Sequence, residues 1–347
     1  MTAVATPHGA AKPPAKPAAK RSDVARLAGV STAVVSYVVN GTKNVSPETE
    51  RRVREAIALL GYRPNSAARA LRLGSNEMLG MVVPDARNPY FAMLAHAVET
   101  VAAERGYTLL TANADGLLET ERRHVERFVD RGVDGVFLCS TIVEPDVRPL
   151  VDADIPTVLL NHSVEVAGVA SVRIDLWEGA RLAVEHLAEH GHERIGLVIG
   201  SNTGHVLDPR ETGWRQELAR RGLAEGPLER DIFTMRGGYD AGRRLLATGL
   251  PSALFVSSDR QAIGLLRALH EAGVRVPDDV ALVSFDGSED AAYSWPPLST
   301  VAAPIADMAR AAVDAILAPA DPDAGRPGIR HEVFAPALVR RASCGCP

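Results

Sequence analysis

Between Ser22 and Gly61 the apolar positions recur at helical spacing in three short runs. Val24, Ala25, Leu27 and Ala28 form the first, which Gly29 breaks. The second carries Val34, Val35, Val38 and Val39 behind Ser31, a helix-capping residue, and ends at Asn40-Gly41. β-Branched residues are poor helix formers in isolation, so tertiary packing must hold this helix. The third opens at Ser46-Pro47, with proline at a favoured first-turn position and Glu48 near the positive end of the helix dipole. It runs through Val53, Ile57 and Leu60 to Gly61, a C-terminal stop. Three short helices with a tight turn at Gly29 predict an all-α helix-turn-helix headpiece over 21–63. In such a headpiece the N-terminal residues of the second helix, Thr32 and Ala33, meet base edges, with Ser36 and Tyr37 one turn on.

After Met78 the pattern changes to short apolar strands alternating with longer amphipathic helices. Strands are expected at 79–83, 108–112, 133–139, 157–160, 195–199, 253–256 and 280–285. Helices are expected at about 90–105, 119–130, 178–190, 210–221, 239–247 and 260–272. Repeated strand–helix–strand units mean parallel sheets with right-handed crossovers. The span from 76 to 343 is long for one sheet, so an α/β domain of two parallel-sheet subdomains is expected, split near 175 with crossovers near 300–330. Ligands in such folds sit outside the carboxyl ends of the strands, and a cleft between two sheets would gather those ends.

Charge separates the two parts. Residues 1–75 carry 12 Lys+Arg against 4 Asp+Glu, a net of +8, whereas the rest carries 26 against 39, a net of −13. A basic module on an acidic body is what nucleic-acid binding at one end requires. Residues 1–20, mostly Ala, Pro and Lys, are expected to be a disordered basic tail, and 64–75 a linker. No run approaches the roughly 18 apolar residues of a membrane span. The amino terminus lacks the charged start and apolar block of a secretory signal, so a cytoplasmic location is expected. Three cysteines, Cys139, Cys344 and Cys346, are too few for a disulfide framework. Cys139 reads as core; Cys344 and Cys346 are a possible metal pair, though one CxC is a weak signal.

Several stretches resemble the lactose-repressor/galactose-repressor (LacI/GalR) family of bacterial regulators. In the headpiece they are Asp23-Val-Ala-Arg-Leu-Ala-Gly-Val-Ser31, Val35-Ser-Tyr-Val-Val-Asn-Gly41 and Val45-Ser-Pro-Glu-Thr49. Gly61-Tyr-Arg-Pro-Asn-Ser-Ala-Ala-Arg-Ala-Leu-Arg72 is similar to that family's linker. Further on come Asp85 with Asn88-Pro-Tyr-Phe91, Arg131-Gly-Val-Asp-Gly135, Gly191-His-Glu-Arg-Ile195, Pro277-Asp-Asp-Val280, Ser284-Phe-Asp286 and Pro296-Pro-Leu-Ser-Thr-Val301. Each fragment alone is unspecific; the ordered set, from Ser22 to Ser343, is highly specific.

The resemblance implies a transcriptional regulator, most simply a repressor, with a periplasmic-binding-protein-like effector domain and a homodimer on palindromic duplex DNA. Carried over by position, Thr32, Ala33 and Tyr37 fall where the family reads bases. Ser31, Ser36, Asn40 and Asn44 fall near phosphates, Arg69 lies in the hinge, and Leu71 matches the minor-groove wedge. The family often has Arg where Tyr37 stands, and Tyr lacks its bidentate fork. The operator therefore need not be that of Arg-bearing relatives. A linker of two helical turns is marginal in water, so 64–75 is expected to become helical only on DNA.

For the effector, strand ends supply Asp85, Asn88, Tyr90, Phe91, Asn113, Asn161 and His162 in the first subdomain, and Asp175, Arg210, Ser258, Asp259 and Asp286 in the second. Carboxylates, amides and Arg beside aromatics suit a polyhydroxylated ligand, a sugar or sugar derivative. The resemblance implies that Arg210, Trp214 and Asp286 face it. Many relatives have Asp-Arg at Asn161-His162 and Asn-Asp at Ser258-Asp259, so specificity is expected to differ. Inducer and corepressor mechanisms, the latter including a non-sugar ligand, both stay open.

Two rival classes are weaker. His186 and His190 share a helix face and can ligate zinc with His192 nearby, yet cationic residues at a helix C-terminus are common. No Gly-x-Ser-x-Gly elbow, Walker A or GxGxxG motif occurs, so no enzyme, metal or cofactor is expected. A periplasmic sugar-binding protein needs a signal peptide and no headpiece; the chain shows the reverse pattern. No leucine heptads follow Arg341, so a coiled-coil tetramer seam has no basis.

Overall fold

The structure, a computed structural model, describes residues 19–63, 74–162, 164–200, 208–318 and 329–346. The expectations placed on the tail before residue 19 and on the linker around Arg69 and Leu71 lie outside these residues. The chain packs as two units, one through Asn76 and one from Glu77.

In the first unit, α1 (Arg21–Ala28), α2 (Thr32–Asn40) and α3 (Pro47–Leu60) close on one small core. Val24, Ala25, Ala28, Val35, Val53, Ala56 and Tyr62 fill it. Gly29 follows α1 at φ 64°, a left-handed conformation that costs an L side chain but not glycine. There the chain turns 102° into α2, within the range of helix-turn-helix pairs. Ser31 Oγ then accepts from Val34 N at 3.3 Å, the cap expected from the sequence, and Ser46 Oγ likewise accepts from Thr49 N at 3.3 Å at the start of α3.

The second unit holds two six-stranded sheets. The first is ordered β11-β5-β4-β3-β1-β2, from β1 (Met78–Val83), β2 (Thr108–Asn113), β3 (Gly135–Leu138), β4 (Thr157–Leu160), β5 (Ala170–Ile174) and β11 (His331–Phe334). Its pairings are all parallel. The second is ordered β12-β10-β9-β8-β6-β7, from β6 (Ile195–Gly200), β7 (Glu225–Asp231), β8 (Ala253–Val256), β9 (Ala281–Asp286), β10 (Ser299–Ala302) and β12 (Ala337–Val339). Only β12, against β10, is antiparallel.

The helices are α4 (Pro89–Glu104), α5 (Leu118–Arg131), a short α6 (Arg148–Asp152), α7 (Leu176–Glu189), α8 (Pro209–Arg220), α9 (Met235–Thr248), α10 (Asp259–Glu271), a short α11 (Glu289–Tyr293) and α12 (Ile305–Leu317). The chain passes between subdomains three times: from β5 into α7, from β10 into α12, and from β11 into β12. After the second passage α12 returns to pack on α4 and on β3, β4 and β5. The inner strands of both sheets are buried on both faces, which explains their continuous apolar runs.

The periodicity misses β5, β7, β10, β11 and β12, and the helices α6, α11 and α12. β7, Glu-Gly-Pro-Leu-Glu-Arg-Asp, lies at a sheet edge where water covers one side and proline costs no ladder bond, so it lacks an apolar run. The run 133–139 narrows to Gly135–Leu138. α9 and α10 cross closely enough that a Cβ on Gly264 would lie 1.8 Å from Met235 O, so only glycine fits there.

Candidate nucleic-acid interface and ligand cavity

In the headpiece, the capping of α2 by Ser31 leaves Thr32 and Ala33 exposed on its first turn, with Tyr37 one turn further on the same side. Lys43 Nζ lies 5.1 Å from the centre of the Tyr37 ring, a cation–π contact that steadies the ring and adds positive charge beside it. Asn40 Nδ2 donates to Ser36 O at 2.6 Å and Ser36 Oγ at 3.0 Å, so these two residues orient one another along the same helix. Asn44 is exposed in the turn after α2. Arg51 and Arg54 of α3 are paired with Glu48, Glu55 and Glu50. The helix thus offers less net positive charge than its arginines suggest. Arg69 and Leu71 lie outside the described residues.

In the second unit a cavity of about 480 Å³ lies between the two subdomains, within the usual range for small-molecule sites. Its walls come from carboxyl ends of strands: Asp85, Asn88, Tyr90 and Phe91 after β1, Ser140 and Thr141 after β3, Asn161 and His162 after β4. Facing them are Asp208 and Arg210, Phe233 after β7, Ser258 after β8, and Asp286 ending β9. Nine of the expected effector residues therefore share one cavity.

Arg210 is fixed on every side. Its Nε and Nη2 donate to the two oxygens of Asp208 at 3.0 and 2.7 Å, and Nη1 donates to Ser257 O at 2.7 Å. The guanidinium lies over Phe233 and Phe285, 5.1 and 5.5 Å from the ring centres. Such a pre-oriented fork can bind a ligand oxygen with little further loss of side-chain freedom. Asp286 stands at φ 116°, a strained conformation for a residue other than glycine. Its Oδ2 accepts from the backbone N of Asp259, at the start of α10, at 3.3 Å. Burial, reinforced by the nearby Asp259 carboxylate and opposed by Arg210, pushes its carboxyl well above the ordinary range. The Tyr90 hydroxyl is buried with no hydrogen-bond partner. His162 is committed to the wall, with Nε2 2.8 Å from Ile142 O and Nδ1 2.7 Å from Val164 O.

Four expected effector residues stand elsewhere. Trp214 is fully buried, and its indole donates to Ile195 O at 3.1 Å; it lies one helical turn beyond Arg210 on the same side of α8, which carries it past the cavity to the amino-terminal start of β6. Asp175 caps α7, accepting from Glu178 N at 2.9 Å, and opens onto a separate recess of about 60 Å³. Asn113 ties its own turn, accepting from Ala86 N at 2.8 Å and donating to Asp115 at 2.7 Å. Asp259 is saturated by Ser284 Oγ, Thr300 Oγ1 and the N and Oγ of Ser288, at 2.5 to 2.8 Å, and so braces the loop beside Asp286. Conversely, sequence reasoning passes over Asp208, Phe233, Ser140 and Thr141. Asp208-Pro209 carries a readable cap signal ahead of α8. Phe233 follows β7, a strand whose composition hides it.

Comparison with known proteins adds an independent line. Residues 22–65 match the model of bacterial regulatory proteins of the lacI family, and residues 184–344 match a periplasmic binding protein-like domain. The ribose operon repressor of Escherichia coli (strain K12) is 33% identical over 304 residues, 86% of this chain and 92% of that protein. The HTH-type transcriptional repressor PurR of Pasteurella multocida (strain Pm70) is 32% identical over 284 residues, 80% of this chain and 85% of its own. Among solved structures, the lac repressor dimer bound to operator and the anti-inducer ONPF superposes with a TM-score of 0.81 at 26% identity. The match covers 94% of this chain and 99% of that one.

Proposed function

The chain belongs to the LacI family of bacterial regulatory proteins, and on that premise we propose a cytoplasmic, homodimeric repressor whose grip on a palindromic operator is set by a sugar or sugar derivative in the inter-subdomain cavity. A DNA-binding regulator under effector control is what the family and the two-part architecture together describe. The carbohydrate assignment is supported by one observation above the rest. The fixed Arg210 fork, the Asp286 carboxyl and the unpartnered Tyr90 hydroxyl converge beside the rings of Phe91, Phe233 and Phe285. Ring hydroxyls of a sugar match such paired donors and acceptors, and its C–H face packs on aromatics.

In this reading Thr32, Ala33 and Tyr37 read bases, while Ser31, Ser36, Asn40 and Asn44 meet phosphates. Arg69 and Leu71 serve the hinge, with Leu71 wedged between base steps. The effector contacts are Asp85, Asn88, Tyr90, Phe91, Asn161, Arg210, Ser258 and Asp286. The effector acts by favouring one inter-subdomain arrangement over another, which requires different affinities for the two.

Operator selection from random duplexes, followed by titration of the selected site with a panel of mono- and disaccharides, tests the whole reading. A palindromic consensus whose affinity shifts with one sugar is the expected result, and the direction of the shift separates inducer from corepressor. No preference for any duplex over bulk competitor would reject the regulator. A selected operator indifferent to every sugar, with no sugar bound by calorimetry, would reject only the carbohydrate.

A further inference from the structure

Far from the cavity, at the carboxyl end of α7, two histidines of that helix meet two cysteines of the carboxyl-terminal segment. Cys344 Sγ lies 3.2 Å from His186 Nε2. Cys346 Sγ lies 3.6 Å from His186 Nε2 and 3.5 Å from His190 Nε2. The His186, His190 and Cys346 donor atoms all fall within 4.8 Å of one another. We propose that His186, His190 and Cys346, with Cys344 beside His186 as the fourth donor, form a structural zinc site that pins the carboxyl-terminal segment to α7.

The distances carry the argument. A tetrahedral zinc with ordinary Zn–S and Zn–N bonds places its sulfur and nitrogen ligands roughly 3.5 Å apart. The Cys346 separations from His186 and His190, 3.6 and 3.5 Å, match that edge length, and Cys344, 3.2 Å from His186 but outside the mutually close group, has to close in to complete the tetrahedron. Two imidazoles and two thiols are the donor set that a d¹⁰, borderline-soft cation prefers in closed four-coordinate sites.

The surrounding residues hold the ligands in place. His186 and His190 are one turn apart on α7, with ring centres 4.6 Å apart. Gly345 adopts φ 87° between the two cysteines, a turn that brings both thiols to the same imidazoles. Ser343 Oγ donates to Leu282 O at 2.7 Å and accepts from Ser299 N at 2.8 Å, so the segment is anchored to the second sheet independently of any ion. Ser299 Oγ lies 3.0 Å from both Cys344 Sγ and Arg341 O, placed to donate to a Cys344 thiolate as an outer-sphere bond when a metal is bound.

The test is metal content of the full chain after exhaustive dialysis, followed by apo-protein titrated with Co²⁺ as a spectroscopic probe. One equivalent of zinc, and a 1:1 cobalt titration giving the visible bands of tetrahedral cobalt with thiolate charge transfer, are expected. Cys346 is only half-buried, so Cys346→Ser leaves the fold intact and should weaken zinc binding at least about tenfold. Zinc should raise the melting temperature of the parent and not of that variant. No retained metal with no stoichiometric cobalt spectrum overturns the site; so does a spectrum that Cys346→Ser and His190→Ala leave unchanged. Copper in place of zinc overturns the assignment of the ion.

Discussion

Arg260, on the first turn of α10 in one subdomain, donates from Nη1 to Asp85 Oδ2 of the other at 2.9 Å, joining the two walls of the cavity. Asp85 is also held by Arg87, through its backbone N at 3.0 Å and its Nε at 2.9 Å. Burial alone would raise the Asp85 carboxyl, but the hydrogen bonds from Arg87 and Arg260 outweigh it and keep it below the ordinary carboxylate range. A contact made only when these walls approach biases the chain toward that arrangement.

Replacing Arg260 by Ala removes the bridge without touching the cavity lining. The expected cost is about 1 kcal/mol of preference for this arrangement, read as a larger radius of gyration in solution scattering. Because the Asp85 carboxyl is lowered, its contribution is complete above its unfolded value near 3.9 and is lost only as pH falls through the folded one. Scattering that is insensitive to the substitution at neutral pH would contradict the role given to the pair.

Tyr90→Phe deletes a buried hydroxyl that has no partner in the protein. The ligand-free variant should therefore be as stable as the parent or slightly more so. Effector affinity should drop by about 1 kcal/mol, near fivefold, if the hydroxyl binds the ligand. Melting curves and calorimetry on the same preparation separate the two effects.

Asp286→Asn keeps a residue type that tolerates positive φ and removes a carboxyl that burial and Asp259 disfavour. Arg210 stays paired with Asp208, so no cation is orphaned. With the folded value raised, the parent loses stability as pH climbs from near 3.9 toward that value. The variant should thus gain on the parent over that interval and remain more stable at neutral pH, while binding effector at least about tenfold more weakly. Unfolding curves taken across the pH range provide the check.

Gly264→Ala sets a methyl against the Met235 carbonyl, where no flexible side chain can yield. Separating α9 from α10 should cost about 2–3 kcal/mol, visible as a shifted denaturation midpoint at unchanged slope.

Tyr37→Ala should relax operator choice at one base pair per half-site by about 1–3 kcal/mol. Ser31→Ala should instead weaken binding across sequences, through loss of a helix cap worth about 1 kcal/mol. Competition assays with single-base operator variants distinguish a base reader from a positioning residue.

The headpiece was readable because its signals are local. Gly29, Ser31, Ser46-Pro47 and Gly61 mark helix ends by their own backbone and capping chemistry, and three helices close on one another over about forty residues. The strand-end rule likewise identified much of the cavity wall. It failed where depth in the fold or bonds already made decided the matter. Trp214 and Arg210 share a helix face, but one turn of helix takes Trp214 away from the cavity, and Asp259 and Asp286 are both acidic strand-end residues, yet one is saturated and the other lines the cavity.

What the amino-acid order alone determined is therefore what short-range periodicity, caps and charge encode: a basic three-helix module, an alternating α/β body, and strand ends rich in polar groups. Tertiary structure decided which of those ends converge and which carboxylates are already satisfied. It also brought His186 to Cys344 across 158 residues. The reason is physical: hydrophobic period and turn chemistry act over a few residues, whereas these meetings depend on three passages of the chain between two sheets, to which no local pattern is sensitive.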